Sequence, residues 1–99
     1  MKAEIFEHSG WLLCEDDNKF IARIATGIGQ SGHTVLRFIE HKFTPQGTTA
    51  LWLLAESHLA VHTWPEEQKA YIQLSSCSAA KFAKFMEWAE AQTDLQLKN

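Results

Sequence analysis

The segment from Leu53 to Glu66, which reads L-L-A-E-S-H-L-A-V-H-T-W-P-E, constrains the fold more than any other part of the chain. Apolar residues fill 51–55 and continue through Leu59 and Val61, which is the composition of a buried strand. The same segment contains an acid, a hydroxyl and two imidazoles, namely Glu56, Ser57, His58 and His62. Burying such groups without partners would be costly. They are therefore either satisfied by a specific hydrogen-bond network or line a functional site.

Length and composition predict one globular domain that covers residues 1–99. Hydrophobic residues make up 45% of the chain and charged residues 21%, and domains of this size often gain stability by association. The net charge of −3, with basic residues dispersed, indicates no nucleic-acid partner. No apolar run reaches the ~20 residues of a membrane span, so no membrane partner is expected. The first residues lack the apolar stretch of a signal peptide, which predicts a cytoplasmic protein.

Side-chain spacing also bears on redox and metal chemistry. Cys14 and Cys77 are expected to be free thiols, because a chain of this kind has no oxidising context. His8, His33 and His41 share no metal-ligand spacing, so no metal site is predicted.

The pattern of apolar residues predicts an α+β fold. A strand or hairpin is predicted near 5–13, interrupted at Ser9-Gly10. A helix that begins at 16–18 follows it and runs through about Ile28, with Gly27, Gly29 and Gly32 marking its end. Further strands are predicted at 34–43, 49–55, 57–63 and 70–76, with a turn at 45–47, a loop at 64–69 and an amphipathic helix at 79–92. Two helices against an antiparallel sheet make a two-layer sandwich.

Strand geometry separates Ser57 from His62. Five residues along one strand span roughly 16 Å at ~3.3 Å per residue, so the two side chains cannot meet within one chain. If this strand and the next form a hairpin, Cys77 comes to lie beside Glu56 and Ser57. One chain can thus join Ser57 and Cys77, whereas His62 has to act on the serine of a second copy, as a two-fold dimer allows.

Three motifs at fixed spacings make the region specific. The sequence E-S-H at 56–58 is followed by H-T-W-P-E at 62–66, the run H-K-F-T-P-Q-G at 41–47 precedes them, and Cys77 follows. From about Gln30 to Cys77 the chain resembles the prokaryotic S-adenosylmethionine decarboxylase proenzymes. The members of that family are small pyruvoyl enzymes that cut themselves at an E-S-H sequence.

The resemblance implies self-cleavage followed by decarboxylation. The hydroxyl of Ser57 would attack the Glu56 carbonyl, and an ester would replace the peptide bond. Elimination would then free the Glu56 carboxyl group and leave dehydroalanine at position 57. Water would replace the nitrogen of dehydroalanine, which leaves as ammonia, and a covalent pyruvoyl group would remain. This cofactor would form a Schiff base with a substrate amine and accept the electrons released with carbon dioxide. The implied substrate is S-adenosylmethionine and the implied pathway is polyamine (spermidine) biosynthesis.

The resemblance also implies a role for each catalytic residue. His62 would promote the processing steps, and Cys77 would return a proton to the substrate carbon. Thr49 takes the place of a family serine that assists ester formation. With Glu56 and Ser57, these residues form the predicted catalytic set.

Substrate binding follows from the same comparison. Phe43 and Trp64 match aromatic residues that stack on adenine, and Glu66 matches an acid that binds ribose hydroxyls. The family's sites lie at a subunit interface, so the resemblance implies a homodimer with shared active sites.

Three positions depart from the family pattern. Gln46 stands in place of a tyrosine, Gln73 in place of an acid, and Ser78 in place of a glycine. Two alternatives therefore stay open: a pyruvoyl decarboxylase of a smaller amino acid such as ornithine or arginine, and an unprocessed homologue with a binding or regulatory role.

Overall fold

A computed structural model describes residues 3–96 and contains five strands and two α-helices. In chain order the elements are β1 (Phe6–Leu13), α1 (Asp17–Gln30), β2 (Val35–Lys42), β3 (Thr48–Leu54), β4 (Ser57–Trp64), a 3₁₀ turn (Pro65–Glu67), β5 (Lys69–Ser76) and α2 (Ala79–Ala91). The strands form one antiparallel sheet in the order β1-β5-β4-β3-β2. The helices contribute to a single core against that sheet, which confirms the predicted α+β two-layer sandwich.

The core follows the two-residue period of the strands. In β3 and β4 every second side chain is buried, and Leu54, Leu59 and Val61 are at most 1% exposed. From the helices, Ile24 and Phe85 pack into the same cluster and are fully buried. The alternation separates a helix-facing side of the sheet from an opposite side, which we call the outer face.

The same alternation corrects the expectation of a strand buried throughout. His58 is exposed and His62 half-buried on the outer face, and Glu56 is exposed in the turn before β4. Only Ser57, at 8% exposure, points its side chain into the buried layer. Most of the polar groups therefore avoid the cost of burial by occupying the other face of the strand.

Two boundary predictions were wrong. The strand β1 is not interrupted at Ser9-Gly10, because its residues pair continuously with β5 and Gly10 lies opposite Ile72. The helix α1 runs through Gly27 to Gln30. Gly27 serves close packing, since a Cβ there would lie 2.5 Å from Cε3 of Trp88.

The outer face carries apolar side chains that nothing in the described chain covers. All of β2 is exposed, and Ile39 reaches 65%. Further exposed apolar residues on or beside this face are Trp11, Phe43, Leu51, Leu53 and Trp64. Several large exposed apolar side chains on one face are typical of an interaction site. Separately, the helices in residues 3–96 are all too short or too polar to cross a membrane.

Candidate active site

A strained turn precedes the first residue of β4. Leu54 pairs with Ser57, which leaves Ala55 and Glu56 as a two-residue turn between β3 and β4. Glu56 has a φ of 59°, in the left-handed region. For a residue with a side chain this conformation costs about 1–3 kcal/mol, and such strain is concentrated at functional sites. The peptide bond between Glu56 and Ser57 thus follows directly on the strained residue.

The hairpin register brings Ser57, Glu56 and Cys77 together. His58 pairs with Ser75, so the residues beyond them place Cys77 opposite Glu56. The Cys77 backbone N–H donates to Ser57 Oγ at 3.2 Å, and Cys77 Sγ lies 4.0 Å from that oxygen. The thiol also donates to Glu56 Oε2 at 3.5 Å. We call these three residues the cleavage cluster.

His62 lies far from the cleavage cluster of its own chain. The strand β4 is unbroken from Ser57 to Trp64, so the five-residue spacing amounts to about 16 Å. The two side chains also project to opposite sides of the sheet. His62 instead pairs with Thr49 across the β3–β4 ladder, and its Nδ1 lies 3.1 Å from Thr49 Oγ1.

The remaining predicted residues collect around His62 in one cavity. This outer pocket has a volume of about 310 Å³, and its lining includes Phe43, Thr49, His62, Trp64 and Glu66. The rings of His62 and Trp64 lie 6.3 Å apart between centroids. Each chain therefore presents two separate groups of predicted residues, the cleavage cluster at one end of β4 and the outer pocket at the other.

Two buried residues beside Ser57 were not predicted as part of the site. Ser76 Oγ lies 3.5 Å from Ser57 Oγ, and His33 Nε2 lies 3.0 Å from Ser76 Oγ. The hairpin register could have revealed Ser76, because it comes opposite Ser57 when His58 pairs with Ser75. Nothing in the sequence pattern signals His33 as part of this site.

What the two groups of residues can do chemically differs. The cleavage cluster places a hydroxyl directly after a residue with a left-handed backbone and a thiol 4.0 Å from that hydroxyl. The outer pocket offers two aromatic faces, an imidazole and a carboxylate, which suits a ligand with a flat ring and hydroxyl groups. Within residues 3–96, no three His, Cys, Asp or Glu side chains are grouped as metal ligands would be.

The two free cysteines should differ sharply in reactivity. Cys14 is 1% exposed, and burial, with Asp17 and Asp16 adding to it, raises its pKa to about 12. The thiolate is the reactive form, so Cys14 should resist iodoacetamide at mildly alkaline pH, whereas the partly exposed Cys77 should be alkylated. Peptide mass mapping of the folded protein measures both sites, with Cys77→Ser as the control that should remain unlabelled. Labelling of Cys14 before Cys77 would contradict this placement.

The profile of the family described as S-adenosylmethionine decarboxylase matches residues 12–96. The S-adenosylmethionine decarboxylase proenzyme of Synechococcus sp. (strain WH7803) is 46% identical over 63 residues, which are 63% of this chain and 49% of that protein. The proenzyme of Clostridium tetani (strain Massachusetts / E88) is 38% identical over 76 residues, 76% of this chain and 59% of that protein. The chain thus spans about half the length of the curated relatives it matches.

A solved structure shares the fold. The crystal structure of the adenosylmethionine decarboxylase from Aquifex aeolicus VF5 superposes with a TM-score of 0.79, covering 98% of this chain and 86% of that one. At 22% sequence identity, this likeness shows the fold alone.

Proposed function

The chain belongs to the S-adenosylmethionine decarboxylase family, and on that basis we propose that it is a self-cleaving, pyruvoyl-dependent decarboxylase of S-adenosylmethionine that serves polyamine biosynthesis. The observation that carries the proposal is the cleavage cluster. A buried serine hydroxyl directly follows a residue held at a φ of 59°, and a thiol lies 4.0 Å from that hydroxyl. Strain before the bond to be cut, a nucleophile after it and a proton donor beside it are the parts that self-cleavage and decarboxylation require.

Self-cleavage begins with Ser57. Its hydroxyl attacks the Glu56 carbonyl carbon, and relief of the left-handed conformation at Glu56 favours opening of the peptide bond. Elimination from the resulting ester frees Glu56 as a carboxyl terminus. Because Glu56 is exposed in a turn, the new terminus can move away without disturbing the core.

The cofactor of this proposal is a pyruvoyl group derived from Ser57, and the surrounding residues suit it. When present, the group supplies an electron-withdrawing carbonyl that stabilises the negative charge left by departing carbon dioxide. The Cys77 N–H, which donates to Ser57 Oγ at 3.2 Å, is a fixed donor at this position. In this proposal the Cys77 thiol, whose sulfur lies 4.0 Å from Ser57 Oγ, gives a proton to the substrate carbon.

We propose a homodimer in which each active site combines the cleavage cluster of one subunit with the outer pocket of the other. Two facts support it: the roughly 16 Å between Ser57 and His62 along β4, and the uncovered apolar outer face. In such a dimer, His62 of the partner subunit promotes processing of Ser57, and Thr49 of the partner subunit assists. A two-fold axis repeats the arrangement, so both sites are complete.

The outer pocket favours S-adenosylmethionine as the substrate. Phe43 and Trp64 provide faces on which adenine stacks, and the Glu66 carboxylate can accept hydrogen bonds from two ribose hydroxyls. The positive sulfonium gains a further ~0.5–2 kcal/mol beside an aromatic face when water is excluded. A smaller amino acid such as ornithine or arginine has no adenine to occupy the aromatic pair.

Carbon dioxide release from carboxyl-labelled substrates tests this proposal. We expect processed protein to act on S-adenosylmethionine and not on ornithine or arginine. Glu66→Gln should raise KM about 10- to 100-fold, because hydrogen bonds to a charged group contribute about 1.5–3 kcal/mol. Glu67→Gln is the matched control, since Glu67 lies in the same turn but faces Lys69 at 3.5 Å on the surface, and its KM should be unchanged. Turnover of ornithine or arginine alone would contradict the substrate, and no turnover at all would contradict the activity.

A further inference from the structure

A chain of buried hydroxyls and one imidazole leads from the end of α1 to Ser57. Ser31 Oγ lies 2.7 Å from His33 Nδ1, His33 Nε2 lies 3.0 Å from Ser76 Oγ, and Ser76 Oγ lies 3.5 Å from Ser57 Oγ. All four residues are at most 8% exposed, and Ser76 is fully buried. Burying polar groups is unfavourable unless they are hydrogen-bonded, and here each of the four side chains has a hydrogen-bond partner.

The number of protons available fixes which group donates and which accepts in each hydrogen bond of this network. The Ser31 hydroxyl donates its one proton to the Ile28 carbonyl at 2.7 Å, so its oxygen accepts from His33 Nδ1–H. In the neutral imidazole the other nitrogen, Nε2, then carries a lone pair, and it accepts the proton of the Ser76 hydroxyl. The Ser76 proton has a second, more distant acceptor in the Ser78 carbonyl at 3.3 Å, against 3.0 Å for His33 Nε2. The Ser76 oxygen accepts from the Ser78 backbone N–H at 3.2 Å and keeps one lone pair for the Ser57 hydroxyl.

The neutral form of His33 is the favoured one. Burial, and then the positive charge of Lys81, lowers the pKa of His33 below its ordinary value. The Cys77 N–H meanwhile donates to Ser57 Oγ at 3.2 Å. The proton of that hydroxyl has two acceptors in reach, Ser76 Oγ at 3.5 Å and Cys77 Sγ at 4.0 Å, and the Ser76 oxygen is the nearer of the two. The reacting oxygen thus has a donor on one side and a proton acceptor on the other.

We infer that His33 is a positioning residue that acts through Ser76, holding the proton that Ser57 releases when it attacks the Glu56 carbonyl. This inference rests on the proposed self-cleavage. It adds to that reaction a route by which the buried Ser57 hydroxyl loses its proton to residues of the same subunit. The later elimination is left to other groups.

The step balances without any co-reactant. The Ser57 O–H bond breaks while an O–C bond to the Glu56 carbonyl carbon forms, and the proton passes to Ser76 as Ser76 passes its own to His33 Nε2. When the C–N bond between Glu56 and Ser57 breaks, the nitrogen gains one proton and His33 returns to its neutral form. The products are an ester and a free amine, with no net change in protons. The Ser57–Ser76 separation of 3.5 Å is long for a hydrogen bond, and catalytic hydrogen bonds are often long in the resting state and tighten only as the reaction proceeds.

Rates of self-cleavage in variants of the full chain test the inference. His33→Phe and His33→Gln should both slow cleavage about 100-fold or more, the lower range for removing a proton-transfer group. The glutamine is the informative one, because its amide oxygen keeps a polar contact with Ser76 but cannot store a proton. Ser76→Ala should be equally slow, whereas Ser76→Thr, which keeps the hydroxyl and suits a strand, should stay within about 10-fold of the parent protein.

Hydroxylamine locates the affected step, because it cleaves an ester and not a peptide bond. The His33 variants should be stalled before the ester, so hydroxylamine should not split them. His8→Phe and Ser75→Ala are matched controls, because both residues lie outside the buried hydrogen-bond network, and they should cleave at the parent rate. The thermal unfolding midpoint of every variant should stay within a few degrees of that of the parent protein.

Three results would overturn the inference: parent-like cleavage of His33→Phe, rescue by His33→Gln, or full cleavage of a stalled His33 variant by hydroxylamine. Failure of the parent protein itself to cleave would instead overturn the proposed function, and this inference with it.

Discussion

Replacing Ser57 with alanine is expected to leave the protein as one uncut chain that releases no carbon dioxide from any substrate. The hydroxyl is the only nucleophile that the cleavage cluster places directly after the strained Glu56, and without it neither the ester nor the pyruvoyl group can form. The fold should survive, because losing the hydrogen bond from the Cys77 N–H costs about 1 kcal/mol. Denaturing electrophoresis and intact mass measure the outcome.

His58→Ala is the matched control for that variant. His58 is the next residue of the same motif, but its side chain is exposed on the outer face and belongs to neither group of predicted residues. It should cleave as the parent does. Two fragments from Ser57→Ala would show that another group opens the chain and would contradict the role of Ser57.

Subunit mixing should separate shared sites from sites within one chain. Ser57→Ala and His62→Ala are each expected to remain uncut when expressed alone. When the two are expressed together, a mixed dimer has one site in which the intact Ser57 of the His62→Ala chain meets the intact His62 of the other chain. Random pairing then cuts roughly half of the His62→Ala chains and none of the Ser57→Ala chains. The spacing along β4 is the physical reason, since it keeps His62 about 16 Å from the serine of its own chain.

Mass spectrometry identifies which variant supplies the fragments. Cleavage of His62→Ala chains in the mixture, and not in either separate preparation, supports the composite site. A mixture that stays uncut, or a monomer in solution that still cleaves itself, would contradict the shared arrangement.

The strands and the cleavage cluster could be predicted because both follow from local rules. Composition located β4 to within one residue of its end, and the two-residue period of a hairpin placed Cys77 beside Ser57. Prediction failed where an element depends on distant contacts. Gly27 looks like a helix stop, yet Trp88, brought in by α2, needs the space that a glycine leaves.

The buried hydrogen-bond network behind Ser57 is a stronger example of contacts that the sequence could not predict. His33 and Ser76 are 43 positions apart, and the two segments meet only because α1 ends over the sheet. No periodic pattern encodes such a contact. The exposed outer face could not be predicted either, since the apolar composition of β2 and β3 is equally typical of strands buried on both faces.

The intact mass of the purified parent protein tests the central claim most directly. Self-cleavage predicts two fragments, residues 1–56 and residues 57–99. The second should be lighter than a serine-started fragment by the mass of one ammonia molecule, and it should resist amino-terminal sequencing because a pyruvoyl group blocks it. A single mass for the uncut chain, persisting after prolonged incubation at moderate temperature, would contradict the account.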